Sequence, residues 1–523
     1  MPPVSRRLLA GGLVAAGILA AALVVGLGGS HRTSAHERAA LPVEPAVRTI
    51  PRGALRLTVG RRATGHPIPA GFLGLSLEYP AVEAYAGSDP KAINPVLVQL
   101  IRNLSPDAAP NLRIGGDTTD WTWWPVPGAA KPGGVKYSLG RRFAGVTAAL
   151  AHELGAQVIL GINLEAGSSA VAAGEARALI AGVGRDSVQA LELGNEPELY
   201  GSFTWYTTPS GQHVTGRLPG YDFAAYQDDF ARIGAALPAA ALAGPATGAP
   251  KWIPDLPRFL SAQPRVKVAT LHRYPLQLCF MPAASPMFPS VAHLLAPAAS
   301  RSLADSVAPF VGVARAHQVA LRIDEMNTVS CGGAPGISNA FVSALWALDA
   351  VFQMARVGVD GVNIHTFPRA PYQLFTFSRR HSRWRGFVAP EYYGLMMFAQ
   401  AAPPGARLLR LSGALGKVRS WATRAPDGTT RVVLINEYAT HSRTVAVRIA
   451  GARPLATLER LRAKSVTATT GVTLGGQTFG TATATGTLAG RSTITAVKPI
   501  AGAFVVRLPP ASAALLTLPV PPA

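Results

Sequence analysis

Apolar, β-branched runs recur through the middle of the chain at residues 72–78, 111–115, 157–163, 189–193, 240–244, 267–271, 319–323 and 361–365. Between them lie Ala/Leu-rich stretches with helical spacing, such as 142–154, 170–182, 222–236 and 338–356. Strand-like runs alternating with helices predict a parallel sheet, because a strand can return to the same end only through a crossover long enough to hold a helix. Eight such repeats in about 300 residues fit a closed (β/α)8 TIM barrel. From about Arg407 the helical period is lost. VRSWATR (418–424), TTRVVLINEY (429–438), RTVAVRIA (443–450) and GAFVVRLPP (502–510) are short alternating runs separated by turns, with a Thr/Gly/Ala-rich stretch at 464–497. They predict a C-terminal antiparallel β-sandwich. Residues 46–60, AVRTIPRGALRLTVG, are also strand-like and are expected to pair with that sheet. The expected organisation is therefore a targeting segment and stalk over 1–45, a strand segment of the small domain over 46–64, the barrel over 65–400 and the sandwich over 401–523. A chain of 523 residues with 48% hydrophobic content can bury one large core and one smaller one.

In such a barrel the carboxyl ends of the strands converge on one pocket, so polar residues that terminate apolar runs are the candidates for chemistry. The run LELGNEP (191–197) ends in Gly194, Asn195 and Glu196 and is closed by a proline, and VALRIDEMN (319–327) ends in Asp324, Glu325 and Asn327. Other tips carry Glu78, Arg113, Asp117, His272, Tyr274 and His365. Singly these residues have bland readings: a glutamate before proline on a solvated turn, an arginine in a structural ion pair, a histidine satisfied in the core. Two tip glutamates 129 positions apart share one explanation in glycosidic bond hydrolysis, where one carboxyl group protonates the leaving oxygen and another attacks from the opposite face.

Asn-Glu closing the fourth run and Glu closing the seventh is the pattern of clan A of the glycoside hydrolases. Four further stretches resemble glycoside hydrolase family 79, the heparanase and β-glucuronidase-like family: FLGLSLEY (72–79), NLRIGGDTTDW (111–121), TLHRYPL (270–276) and DEMNTVSCGG (324–333). The matches keep the family's order over roughly residues 70–370. The resemblance implies a retaining β-glycosidase, foremost one acting on a β-glucuronide or glucuronic-acid-containing glycan. Glu196 would be the general acid and base, kept protonated by partial burial and the second carboxylate, and Glu325 the ionised nucleophile. Arg113 would hold Glu325 charged and Tyr274 would donate to it. Asn195 would reach the hydroxyl beside the anomeric carbon, and Glu78, Asp117, His272 and His365 would bind other hydroxyls. No metal and no organic cofactor is needed, since two carboxylates and water complete a double displacement. Trp121, Trp123 and Trp124 offer indole faces for a pyranose, or else pack a long loop. After the eighth run the chain departs from the family: NIHTFPRAPYQLF (363–375) has Thr366, Phe367 and Pro368 where small residues are expected, leaving Arg369 or Tyr372 to contact a sugar carboxylate. A clan A glycosidase for neutral sugars and a non-catalytic envelope protein that binds glycans therefore stay open.

Composition adds three points. Lys and Arg number 49 against 28 Asp and Glu, a formal charge of +21, which suits a polyanionic glycan if gathered at the mouth and is a compositional bias if spread. No clustered basic arm or recognised motif points to nucleic acid. Cys279 and Cys331 fall in the neighbouring loops after the sixth and seventh strands, and in an oxidising compartment a disulfide between them is expected, with two unpaired thiols as the alternative and too few ligands beside them for a metal site. Arg6 and Arg7 precede an apolar run from Leu8 to Gly29, an export signal long enough to span a bilayer. Retention as a membrane anchor and cleavage near Thr33–Ala35 are the two outcomes. Either would leave the rest of the chain outside the cytoplasm.

Overall fold

The computed structural model describes residues 41–44, 48–450 and 455–519. The expected targeting segment lies outside the described residues, among which no helix is long and apolar enough to cross a membrane.

Eight parallel strands close into a barrel in chain order: Leu73–Glu78, Asn111–Gly115, Gln157–Ile162, Val188–Leu193, Leu242–Thr247, Val266–Arg273, Ala320–Met326 and Gly361–Thr366, the last pairing back onto the first. Helices Arg141–Leu154, Ser169–Val183, Phe223–Ala236 and Phe341–Val357 fill the four stretches with helical spacing. The fifth strand runs on past the expected 240–244. Carbonyls at Ala239 and Ala240 are taken by Arg185 and Arg265 side chains, which delays its start. At its other end Pro245 keeps its place opposite Thr270, with its carbonyl accepting from the Tyr226 hydroxyl. A proline removes a donor, yet its carbonyl still serves.

Inside the barrel, Ile159, Ala190, Ala243 and Val268 form a small apolar layer. Above it, toward the carboxyl ends, the inward positions are charged. Register puts Ser76 opposite Arg113, Ser76 opposite His365, and His272 opposite Glu325. Irregularities at Thr270/His272 and Ile323/Met326 bend the sixth and seventh strands beside that layer, as bulges near sites commonly do.

The second sheet has ten strands, nine in one continuous path and Thr495–Val497 pairing beside it with Ala456–Arg462, and it closes over a separate core that includes Leu57, Val59, Val432, Leu434, Val445, Phe504 and Leu516. Strand Leu55–Thr64 lies between Arg407–Ser412, antiparallel, and Arg443–Ile449, parallel, so a segment preceding the barrel completes the sheet that follows it. The Thr/Gly/Ala-rich stretch contributes only Thr473–Leu474 and Thr495–Val497 to that sheet. Its middle lies on the barrel, where Phe479 packs on Tyr392 and Tyr393 and Thr483 exchanges backbone hydrogen bonds with Gly386. Helix Phe341–Val357 is apolar on nearly every face because it is covered on both sides: Phe352 stacks on Trp421 of the β domain at 5.3 Å, and the Trp421 indole donates to Asp349 at 2.8 Å.

Candidate active site

The strand ends open into a cavity of about 590 Å³, and both glutamates line it. Arg113, fully buried, ties the site together. Its Nε donates to Glu192 at 2.8 Å, Nη1 to Glu325 and to Ser76 at 3.2 Å, and Nη2 to Asn195 Oδ1 at 2.8 Å. The planar fork thus fixes the second, fourth and seventh strand ends relative to one another.

Glu325 also accepts from the Tyr274 hydroxyl at 2.8 Å, and ring nitrogens of His365 and His272 stand 3.8 and 4.0 Å away. Burial alone would favour its neutral form. The charges of His365, His272 and Arg113, with the Tyr274 hydrogen bond, overcome that and hold the carboxyl well below the usual range, so Glu325 is ionised.

Glu196 is less buried, and its Oε1 lies 3.0 Å from His272 Nδ1. Its backbone is left-handed, at φ 44°, an uncommon conformation for a residue with a side chain. The turn is imposed from both sides: the Glu196 N–H donates to the Ala246 carbonyl at 2.9 Å, and Pro197 begins a 3-10 turn. Gly194, at φ 78°, makes the approach possible, since a Cβ there would strike the Tyr200 hydroxyl. One oxygen of Glu196, one of Glu325 and one ring nitrogen of His272 all lie within 4.8 Å of each other. Those three donors could also reach one cation, but Glu325 is already paired with Arg113 and His272 carries charge. Burial opposes that charge, and the Glu325 and Asp324 carboxylates with the Glu196 hydrogen bond raise its pKa to about 10.

The other candidates take different places. Asn195 sits between Arg113 and Asp117, its amide donating to Asp117 at 3.3 Å. Glu78 accepts from the Asp117 and Thr118 amides at 3.2 and 2.9 Å and faces His365 at 3.4 Å, and a Cβ at Gly116 would strike its carboxyl. His365 hydrogen-bonds Ser76 at 3.0 Å and lines the cavity. Of the three tryptophans, Trp121 lines the cavity, whereas Trp123 packs on Val135 and Val171, and Trp124 packs against the barrel core. Arg369 and Tyr372 are both on the wall. Cys279 and Cys331 form a disulfide joining the sixth and seventh loops, beside short parallel strands Leu276–Gln277 and Val329–Ser330, and Cys331 reaches the cavity.

Sequence reasoning missed Glu192, inside a strand, and Asp120, whose carboxylate accepts from the Leu164, Glu165 and Asn195 amides and the Tyr200 hydroxyl. It also missed the rim aromatics Phe203, Trp205 and Phe280. The aromatic cluster FTWY (203–206) so soon after Glu196 was the available signal.

Residues 420–515 match the glycosyl hydrolase family 79 C-terminal beta domain. Among curated proteins nothing matches the chain. Among solved structures, a 4-O-α-L-rhamnosyl-β-D-glucuronidase from Fusarium oxysporum is similar at 21% identity, covering 88% of this chain and 100% of that one with a TM-score of 0.65. A family 51 arabinofuranosidase from Xanthomonas axonopodis pv. citri is similar at 18% identity, covering 89% and 99%, TM-score 0.59. A bifunctional glucanase-xylanase from a metagenome library is similar at 16% identity, covering 90% and 99%, TM-score 0.57. These likenesses give the fold: a TIM barrel with a β-sandwich. With a family 79 β domain behind a barrel of this kind, the chain is a glycoside hydrolase, and the family it resembles is glycoside hydrolase family 79.

Proposed function

We propose that the protein is an exported retaining β-glycosidase, with Glu325 as nucleophile and Glu196 as general acid and base. The observation that carries this is the approach of the two carboxyl groups, with one oxygen of each within 4.8 Å. Retention needs a separation of about 5–5.5 Å, whereas inversion needs about 6.5–9.5 Å to admit a water. Glu325 attacks the anomeric carbon as the glycosidic C–O bond breaks, and the leaving oxygen takes the hydrogen that Glu196 shares with His272. Water then gives a proton to Glu196 and displaces the Glu325 ester, which restores both carboxyl groups. Support for export is the charged, apolar amino terminus of the sequence together with the disulfide, a bond that persists in oxidising compartments.

The sugar cleaved is glucuronic acid, in a glucuronide or an acidic glycan. Three observations support this: the similar Fusarium enzyme is a β-D-glucuronidase, Arg369 and Tyr372 lie on the cavity wall, and a basic hairpin begins three residues beyond Tyr372. In that hairpin, Phe375–Arg380 paired with Arg383–Val388, one face turns Phe377, Trp384 and Gly386 onto Tyr85, Gly87 and Val96. The other carries Arg380, Arg383 and Arg385, exposed and without a carboxylate partner among the described residues. A neutral sugar is the second reading, favoured by Glu78, Asp117, Asp120 and Glu165 on the same wall, which offer hydrogen-bonding groups to sugar hydroxyls; burial and neighbouring carboxylates push Asp117 up to about 8 and Glu165 up to about 9, so these two act as neutral acids.

A panel of aryl β-glucuronide, glucoside, galactoside and xyloside tests both. Glu325→Ala should abolish turnover on any sugar that is cleaved, whereas Glu196→Ala should keep activity on aryl groups that leave without protonation. Equal residual activity in the two variants would overturn the assignment of roles, and release from a neutral glycoside alone would move the substrate class.

A further inference from the structure

Beneath Glu325 lies a second pair of carboxyl groups, Glu192 and Asp324, whose side chains are 0% exposed. Arg113 Nε donates to Glu192 Oε2 at 2.8 Å and stands 3.5 Å from Asp324 Oδ2, while His272 Nε2 is 3.8 Å from Asp324 Oδ1. Neither oxygen of Asp324, nor Oε1 of Glu192, receives a hydrogen bond from any N–H or O–H group. His272 Nε2, at 3.8 Å, stands too far from Asp324 Oδ1 to close a hydrogen bond, and the other neighbouring donors are committed elsewhere. The remaining nitrogens of Arg113 serve Glu325, Ser76 and Asn195, and Arg322, on the same strand as Asp324, serves Asn363 and the carbonyls of Gly71 and Phe72. Unpartnered carboxylate oxygens in a dry interior are costly, and two adjacent ionised carboxylates are more so.

One hydrogen placed between the pair satisfies an oxygen on each side at once. We propose that Asp324 and Glu192 share a proton, so that the pair presents a single negative charge to Arg113 and positions that guanidinium, and through it Glu325, for attack. Arg113 then stands between one anion below and one above. A second charge below would draw Arg113 and His272 down and loosen their hold on the nucleophile. The electrostatics agree: burial, followed by the charge of Glu192, pushes the Asp324 carboxyl well up, whereas Glu192, despite burial, is held down by Arg113 and by the hydrogen bond from Asp324. Both residues act through Arg113 and are positioning residues. The positioning half of the inference rests on the reading of Glu325 as nucleophile; the shared proton does not.

Two measurements on the full chain separate these halves. The first is the infrared difference spectrum of wild type minus Asp324→Asn at neutral pH, which should contain one carboxylic-acid C=O band. No such band would overturn the shared proton whatever the enzyme cleaves. The second compares Asp324→Leu with Asp324→Asn on the aryl glycoside that wild type hydrolyses. Leu removes the hydrogen-bond donor and should lower kcat on the order of 10²-fold with KM little changed, the scale of a misplaced reacting group. Asn restores a donor to Glu192 and should recover most of that loss. An Asn variant as impaired as Leu, with the fold intact by circular dichroism, or a Leu variant with undiminished kcat, would overturn the positioning role. If Glu325→Ala retained turnover while the infrared band was present, the nucleophile assignment would fail and the shared proton would stand.

Discussion

Arg113 touches more of the chemistry than either glutamate does, and His272 bridges them, with Glu196 on one side and Glu325 and Asp324 on the other. This gives a pH signature. The His272 pKa is raised from 6.5 to about 10 in the fold, so the stability its charge contributes is complete below about 6.5 and is lost as pH rises through 10. Glu325 has the opposite sign: its pKa is lowered, so its contribution is present above the ordinary carboxylate value and is lost as pH falls through the folded one. The Tm difference between wild type and His272→Asn should therefore be widest near pH 6.5 and close toward pH 10, and a constant difference across that range would contradict the charged histidine. At this scale the sequence shows residues that end strands and conceals those within them. Glu196 and Glu325 stand out because an apolar run stops at them. Glu192 lies between Leu191 and Leu193, and only the inward parity it shares with Ala190 in a closed barrel reveals that it faces Arg113.

Among the elements, the loops after the sixth and seventh strands carry Tyr274 and follow Glu325, and the disulfide spans 52 residues between them. On the loop-entropy model that closure stabilises by about 4 kcal/mol. Because Cys331 also lines the cavity, the double replacement Cys279→Ser, Cys331→Ser should lower Tm and raise KM more than it lowers kcat, as read by thermal melts and steady-state kinetics. A variant with unchanged KM would mean that the loops hold their shape without the bridge. Alternating strands and helices were legible because each buried strand is a compact apolar run. The expected fifth strand, 240–244, stops short of Pro245, whose carbonyl is held by Tyr226 of the helix Phe223–Ala236, a tertiary contact that no local pattern encodes. The 464–497 stretch was opaque for a related reason: its threonines and glycines follow the barrel surface and have no period of their own.

For the molecule as a whole, strand Leu55–Thr64 makes the β domain depend on a segment from before the barrel. Without it, strands Arg407–Ser412 and Arg443–Ile449 each lose a neighbour, and the core loses Leu57 and Val59. A fragment of residues 401–523 should therefore aggregate or fail to give a cooperative melt, while the same fragment supplied with residues 46–64 should recover one; folding of 401–523 alone would show that the strand is an accessory. The barrel and β domain share the Phe352–Trp421 stack and the backbone bonds at Phe341 and Val342, so heating should unfold them together. Two packed units, one chemical centre and a family 79 β domain describe a glycosidase, and the reaction's stereochemistry is the point on which the central claim turns. The most direct measurement is proton NMR of the first sugar released from the aryl β-glycoside the enzyme cleaves, recorded before mutarotation. A double displacement through Glu325 predicts the β-anomer first. The α-anomer appearing first would mean that water attacks the sugar directly and would contradict the roles assigned to Glu325 and Glu196.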